Sequence, residues 1–158
     1  MLRVSKLTDY ATVVMTCLAE SADEVLSAQL LAERARLEAP TVSKVLKQLA
    51  GAGLVDSWRG ANGGYRLARE PRAISVADIV TAMEGPIGMT ECCAHSGLCD
   101  HESHCGVRVN WQRISDAIRT ALEGVTLADM LVSAPKRSVG IALRVAISSL
   151  RDRLVACN

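Results

Sequence analysis

Four of the chain's six cysteines and all three of its histidines fall within the fourteen residues from Cys92 to Cys105. Thiolate and imidazole are the side chains that bind transition metals. In a reducing compartment, clustered cysteines more often hold metal or do redox work than form disulfides. Cys93, Cys99 and Cys105 are evenly spaced, with five residues in each gap. Zinc knuckles pair cysteines two to four residues apart, because a tight turn grips the ion. Wider, even spacing suits a larger object around which the chain wraps. An iron–sulfur cluster, 2Fe-2S or 4Fe-4S, is such an object. Zinc held by cysteine and histidine is the alternative, with His95, His101 and His104 at hand. Cys92 reads as an inert neighbour of Cys93, with a spare ligand or a redox-reactive thiol as the alternatives. Cys17 falls in an apolar helical pattern and reads as a core residue, and Cys157 reads as a bystander.

A second chemistry lies upstream. Residues 39–72 contain six Lys/Arg (Lys44, Lys47, Arg59, Arg66, Arg69 and Arg72) against two acids, Asp56 and Glu70. That local excess of four positive charges stands out in a chain whose net charge is +1. It supplies the attraction to phosphate that nucleic-acid binding requires.

These residues need elements to position them. Leu7, Tyr10, Ala11, Val14 and Leu18 recur at helical spacing. Ser27 is placed to cap a short helix over 28–35. A turn follows, and Pro40 suits the first turn of a further helix with Val42, Val45, Leu46 and Leu49 on one face. Gly53 is expected to end it. Strand-like residues 54–59, the turn Gly60-Ala61-Asn62-Gly63-Gly64 and strand-like residues 65–68 make a β-hairpin. Ser75 is placed to cap a helix over 76–84, closed by Gly85-Pro86. The cysteine stretch has no period and is expected to be a loop. Val107, Trp111, Ile114, Ile118, Ala121 and Leu122 then mark a long helix stopped by Gly124, and Thr126 with Asp129 suggests another cap. Val139, Leu143, Ile147, Leu150 and Leu154 form an apolar stripe on a basic helical tail.

Two helices, a turn and a hairpin, in that order, describe a winged helix-turn-helix. The fold is therefore expected to be mainly α with a small β-hairpin, followed by a long helix. In such a unit the second helix enters the major groove with its N-terminal residues, here Thr41, Ser43, Lys44 and Lys47. The hairpin offers Arg59, Asn62, Gly63 and Arg66. A tip with little side chain lets its backbone N–H groups and Arg59 approach a narrow minor groove.

Composition narrows the alternatives. Aromatic residues make up 3% of a chain that is 49% hydrophobic, so the core must be aliphatic. No phosphate-binding glycine loop, Cys-x-x-Cys pair or catalytic constellation occurs, which argues against an enzyme. No leader-like stretch follows Met1, and no run of about 18 apolar residues spans a membrane. The cytosol is the expected compartment, with no membrane partner.

Leu7-Thr8-Asp9-Tyr10-Ala11, Arg59 to Tyr65, the Cys93-x5-Cys99-x5-Cys105 triplet and Leu127-Ala128-Asp129-Met130-Leu131 resemble the IscR/NsrR-type family of bacterial iron–sulfur transcription regulators, including the branch that controls SUF-type assembly. The similarity covers about residues 1–132. It implies a homodimer bound to a double-stranded DNA operator, with the helix at 107–123 crossing to the partner. It implies a repressor of iron–sulfur assembly genes that senses cluster status, redox or nitric oxide, with the cluster on Cys93, Cys99 and Cys105. Some members add a histidine three residues after the third cysteine. This chain has Arg108 there, which is no iron ligand. Others use an acidic residue near the N-terminus, donated across the dimer, and Asp9 matches it; Cys92, His101 and His104 are local alternatives. The implied division is 1–84 for DNA binding, 85–106 for the cluster loop, 107–132 for dimerisation and 133–158 for the basic tail, which has no counterpart in the family.

Overall fold

A computed structural model describes residues 3–60, 63–95, 97, 99 and 104–132. The tail at 133–158, Asn62 and His101 lie outside the described residues. The order is α1 (Lys6–Ala19), α2 (Ala28–Ala35), α3 (Ala39–Gly51), β1 (Val55–Trp58), β2 (Gly64–Leu67), a 3-10 turn (Pro71–Ala73), α4 (Val76–Glu84), α5 (Glu91–Ala94), α6 (Arg108–Glu123) and α7 (Leu127–Leu131). The strands pair antiparallel, Val55 with Leu67 and Trp58 with Gly64. This is a winged helix-turn-helix followed by a long helix, as expected. Among the described residues no helix is long and apolar enough to cross a membrane.

The caps explain where the helices begin. Ser27 accepts from the Leu30 N–H and Ser5 from the Thr8 N–H. Ser75 with Asp78 and Thr126 with Asp129 form full capping boxes, each satisfying two N–H groups that a helix start leaves unpaired. The Thr126 hydroxyl also holds the Asp129 carboxyl below its ordinary pKa.

The end of α3 is equally explicit. The Leu54 N–H bonds to the Leu49 carbonyl and the Gly53 N–H to the Ala50 carbonyl, with Gly53 at φ 71°. That is a Schellman motif, and the buried Leu49 and Leu54 supply its apolar contact. The same pair of bonds closes α2, from Leu37 to Ala32 and from Arg36 to Glu33. There the left-handed residue is Arg36, at φ 54°. A side chain in that conformation costs about 1–2 kcal/mol. The turn between α2 and α3 is therefore held under strain by the packing on either side.

The core is aliphatic. Val14, Met15, Leu31, Val42, Val45, Leu46, Leu49, Ile74, Ile79 and Leu127 are fully buried, and Tyr10 and Tyr65 pack against them. Each such side chain stabilises the fold by roughly 1.5–3 kcal/mol relative to exposure. α1 lies at the centre, against α2, α3, α4 and α7. α7 follows α6 in sequence, yet Leu127 belongs to this core. Its N–H bonds to the Ile74 carbonyl and the Val76 N–H to that of Val125, so the starts of α4 and α7 lie side by side.

The cysteine stretch departs from the expected loop. Glu91–Ala94 forms one helical turn with Cys92 and Cys93 on it. Four residues are too few to show a helical period in sequence.

Candidate functional site

The helix-turn-helix presents one face of α3 outward. Val42, Val45, Leu46 and Leu49 are buried, so Ser43, Lys44 and Lys47, at intervening positions, are exposed, and Thr41 is half-buried. The helical period that makes the core also displays the candidate base-reading residues.

In the hairpin, two glycines are required for different reasons. A Cβ on Gly63 would lie 2.5 Å from the Trp58 carbonyl oxygen, inside a turn closed by a 2.9 Å bond from the Gly63 N–H to the Gly60 carbonyl. A Cβ on Gly64 would lie 2.6 Å from the Leu26 carbonyl oxygen, because the Leu26 segment pairs with Tyr65 alongside β2. Arg59 is exposed and Arg66 half-buried. Arg69 serves structure instead. It donates to the Ala73 carbonyl and pairs with Asp78 at 3.9 Å.

The cysteine site is built around Thr90. Its hydroxyl donates to Cys93 Sγ at 3.1 Å and lies 3.2 Å from Cys92 Sγ. The Thr90 contact holds the Cys93 thiol below its ordinary pKa and so favours the thiolate, the form that binds metal. Burial pushes the Cys17 thiol the other way, as suits a core residue. Cys92, Cys93, Cys99 and Cys105 are half-buried; His95 and His104 are exposed. Among the described residues no three His, Cys, Asp or Glu side chains are gathered closely enough to hold a metal ion. The structure thus brings Cys92 and Cys93 together around Thr90. It does not draw Cys99, Cys105 or Asp9 into one group with them. Asp9 is exposed in the first turn of α1.

Two fastenings around this site escape sequence reading. Ser115 is the one buried residue on α6. Its Oγ accepts from the Met89 N–H at 3.0 Å and donates to the Trp111 carbonyl at 2.9 Å. Nearby, Arg119 donates to the Ile87 carbonyl at 3.2 Å. A Cβ on Gly88 would lie 2.6 Å from the Ala94 nitrogen, so the linker backbone runs directly against α5. A serine inside an apolar stripe is the faint sequence signal for the first fastening. The second is Glu84, at the end of α4. Its Oε1 accepts from the Ser5 N–H at 2.7 Å and from the Thr8 hydroxyl at 2.5 Å. The Thr8 bond, then the Ser5 bond, lowers its pKa. A carboxylate here also complements the positive end of α1. Thr8 is thus committed to Glu84, and Ser5 caps the helix.

Ile118 and Leu122 are half-buried, and much of the rest of α6 faces outward. Val109 is 67% exposed, Ile114 44% and Trp111 39%. An amphipathic helix with its apolar residues in solvent has a face made for another surface.

Comparisons with known proteins agree with this arrangement. A family model for Rrf2, an iron-dependent transcriptional regulator, matches residues 4–133. The transcriptional regulator CymR of Bacillus subtilis is 35% identical over 130 residues, covering 82% of this chain and 89% of that protein. IscR of Aliivibrio salmonicida is 30% identical over 102 residues, 65% of this chain and 60% of that protein. Among solved structures, B. subtilis CymR, described as a global cysteine regulator, matches with a TM-score of 0.66 at 32% identity, over 85% of this chain and 100% of that one. IscR of T. potens matches with a TM-score of 0.63 at 34% identity, over 90% of this chain and 96% of that one.

Proposed function

The chain belongs to the Rrf2 family of DNA-binding transcriptional regulators, and from that premise we propose that it is a dimeric repressor of iron–sulfur assembly genes whose operator affinity follows an iron–sulfur centre on the cysteine loop. Thr41, Ser43, Lys44 and Lys47 would enter the major groove. Arg59, Asn62, Gly63 and Arg66 would meet the minor groove and its phosphates. The outward apolar face of α6 would pair with the same face of a second copy. Residues 1–84 would then read DNA, 85–106 carry the centre and 107–132 join the protomers.

Cys93, Cys99 and Cys105 would hold the centre, with Asp9 donated across the dimer as fourth ligand and Cys92 as the local alternative. The donor chemistry fits. Three thiols fall within residues 93–105 of the sequence, and the Thr90 hydroxyl already points at one sulfur, the kind of contact that tunes a cluster. When bound, the centre supplies a redox- and nitric-oxide-sensitive tie between distant points of the loop.

One observation carries the coupling. The segment between α4 and the cysteines is fastened to α6 through Ser115 and Arg119. A change in the pose of α5 therefore pulls on α6 and on the spacing of two DNA-reading units. Half-sites about 34 Å apart tolerate little change in that spacing. Converting a regulator from mostly bound to mostly free takes about 5.5 kcal/mol of differential affinity, within the range that metal–thiolate ligation supplies.

Purification without oxygen, with iron and sulfide analysis and visible absorption, tests the reading. The wild type should be coloured with iron and sulfide bound, and Cys99→Ala should lose both. The likeness to CymR favours a second reading, a regulator whose thiols act with no metal. Colourless, iron-free wild type would select it, and stoichiometric zinc would select a structural zinc site.

A further inference from the structure

The wing contains an aromatic residue that the core does not use. Trp58 ends β1 and is 42% exposed. The register sets Asp56 opposite Arg66 and Trp58 opposite Gly64. Side chains alternate along a strand, so Asp56, Trp58 and Arg66 share one face of the hairpin. The other face carries Val55 and Leu67, both buried. The shared face is the outer one, and Trp58 lies nearer the tip than Asp56.

Arg66 has two partners within reach on that face. It could turn straight across to the Asp56 carboxylate or lean diagonally towards the tip. It takes the second course. Its guanidinium carbon lies 5.1 Å from the centre of the Trp58 ring, within cation–π range. Among the described residues no ion pair joins it to Asp56. A cation–π contact draws on the charge of the guanidinium and gives none of its N–H groups to a hydrogen-bond acceptor. The five N–H donors lie in its plane and stay available for a phosphate. Arg69, three residues on, is already bonded to Ala73 and Asp78. The two arginines therefore have different work despite identical chemistry.

We propose that Trp58 is a positioning residue for DNA binding, whose indole holds the Arg66 guanidinium at the wing tip, away from Asp56, with its edge presented to a DNA phosphate. This rests on the DNA-reading role proposed above for the wing. Preorganisation lowers the entropy lost when a long side chain is fixed at an interface. The indole is thus the part that makes a flexible cation an effective contact.

Phosphate contacts do not depend on sequence, so a labelled mixed-sequence duplex of about 30 base pairs, long enough for the half-sites of a dimer, serves as probe. Affinity is measured by anisotropy across a salt series. Arg66→Ala should weaken binding and reduce the salt slope by about 1. Trp58→Ala should weaken it about two- to fivefold, the range of an exposed cation–π pair. Trp58→Phe, which keeps a ring face, should recover most of that loss. Combined with Arg66→Ala, Trp58→Ala should cost nothing more. Full additivity of the two changes, or a Trp58→Phe variant as weak as Trp58→Ala, would overturn the positioning role. Lys44→Glu separates the two levels. If it abolishes binding while Trp58 and Arg66 act independently, only this proposal fails. If wild type and Lys44→Glu bind alike, the DNA-reading role itself fails and takes the proposal with it.

Discussion

The winged helix and the α6 region are built on opposite plans. In the first, each helix from α1 to α4 buries its apolar face and the hairpin closes one side. In the second, a sixteen-residue helix buries one serine and leaves Val109, Trp111 and Ile114 in solvent. The first region is complete within one chain. The second is completed from outside, by a second copy on the reading proposed above, and is tied to the first by hydrogen bonds at the linker and by Leu127. On the reading proposed above, a reader complete in itself is joined to a controller by a few hydrogen bonds, so a small change at the controller would move the reader without unfolding it.

The largest expected effect sets the two plans against each other. Leu46→Ala empties a fully buried position and should cost about 2–5 kcal/mol of unfolding free energy, measured by urea denaturation. Ile114→Ser alters an exposed residue. It should leave the unfolding of the winged helix within about 0.5 kcal/mol while shifting sedimentation from dimer towards monomer. If Ile114→Ser left the dimer intact, the α6 face would have some other use.

The fastening between the regions comes next. Ser115→Ala leaves the Met89 N–H without its acceptor and should cost about 0.5–1.5 kcal/mol, the net worth of a typical hydrogen bond. Amide exchange should quicken at Met89 and along the linker but not in α3. Uniform quickening across the winged helix would mean that the serine supports the whole fold instead.

Glu84 yields a pH effect with a definite sign. Its folded pKa is depressed by Thr8 and Ser5, so its contribution is present in full above the ordinary glutamate value of about 4.3. It is lost as pH falls through the lower folded value. The stability gap between wild type and Glu84→Gln should therefore shrink on acidification below about pH 4. A gap constant down to pH 2 would mean that the carboxylate charge is irrelevant to the tether.

The smallest effect concerns Arg36. Glycine accepts its left-handed conformation without strain. Arg36→Gly should raise the melting midpoint slightly, by an amount equivalent to about 1 kcal/mol or less. A fall would show that the Arg36 side chain makes a contribution greater than its strain.

Sequence reading and structure agree where the signal is local. The period of Val42, Val45, Leu46 and Leu49 marked α3 and its outward face, and Ser27, Ser75 and Thr126 marked helix starts. Gly60 to Gly64 marked the turn, though only the structure shows that Gly64 is needed because Leu26 passes so near. What stayed hidden depends on distant partners. Glu84 meets Ser5 across 79 residues of sequence, and Ser115 meets Met89 across 26. Arg36 stands where pattern reading looks for glycine, so strain concealed the cap. Trp58 looked like a strand residue, because its partner is known only once the hairpin register is set.

The central claim is that the state of the cysteine loop decides how tightly the paired readers hold DNA. The most direct measurement is affinity for one duplex, selected from genomic DNA by the oxygen-free protein, before and after its iron is removed by chelation. The account predicts a shift of at least about tenfold, equivalent to about 1.4 kcal/mol, that is absent in Cys99→Ala. Equal affinities for loaded and stripped protein would contradict it.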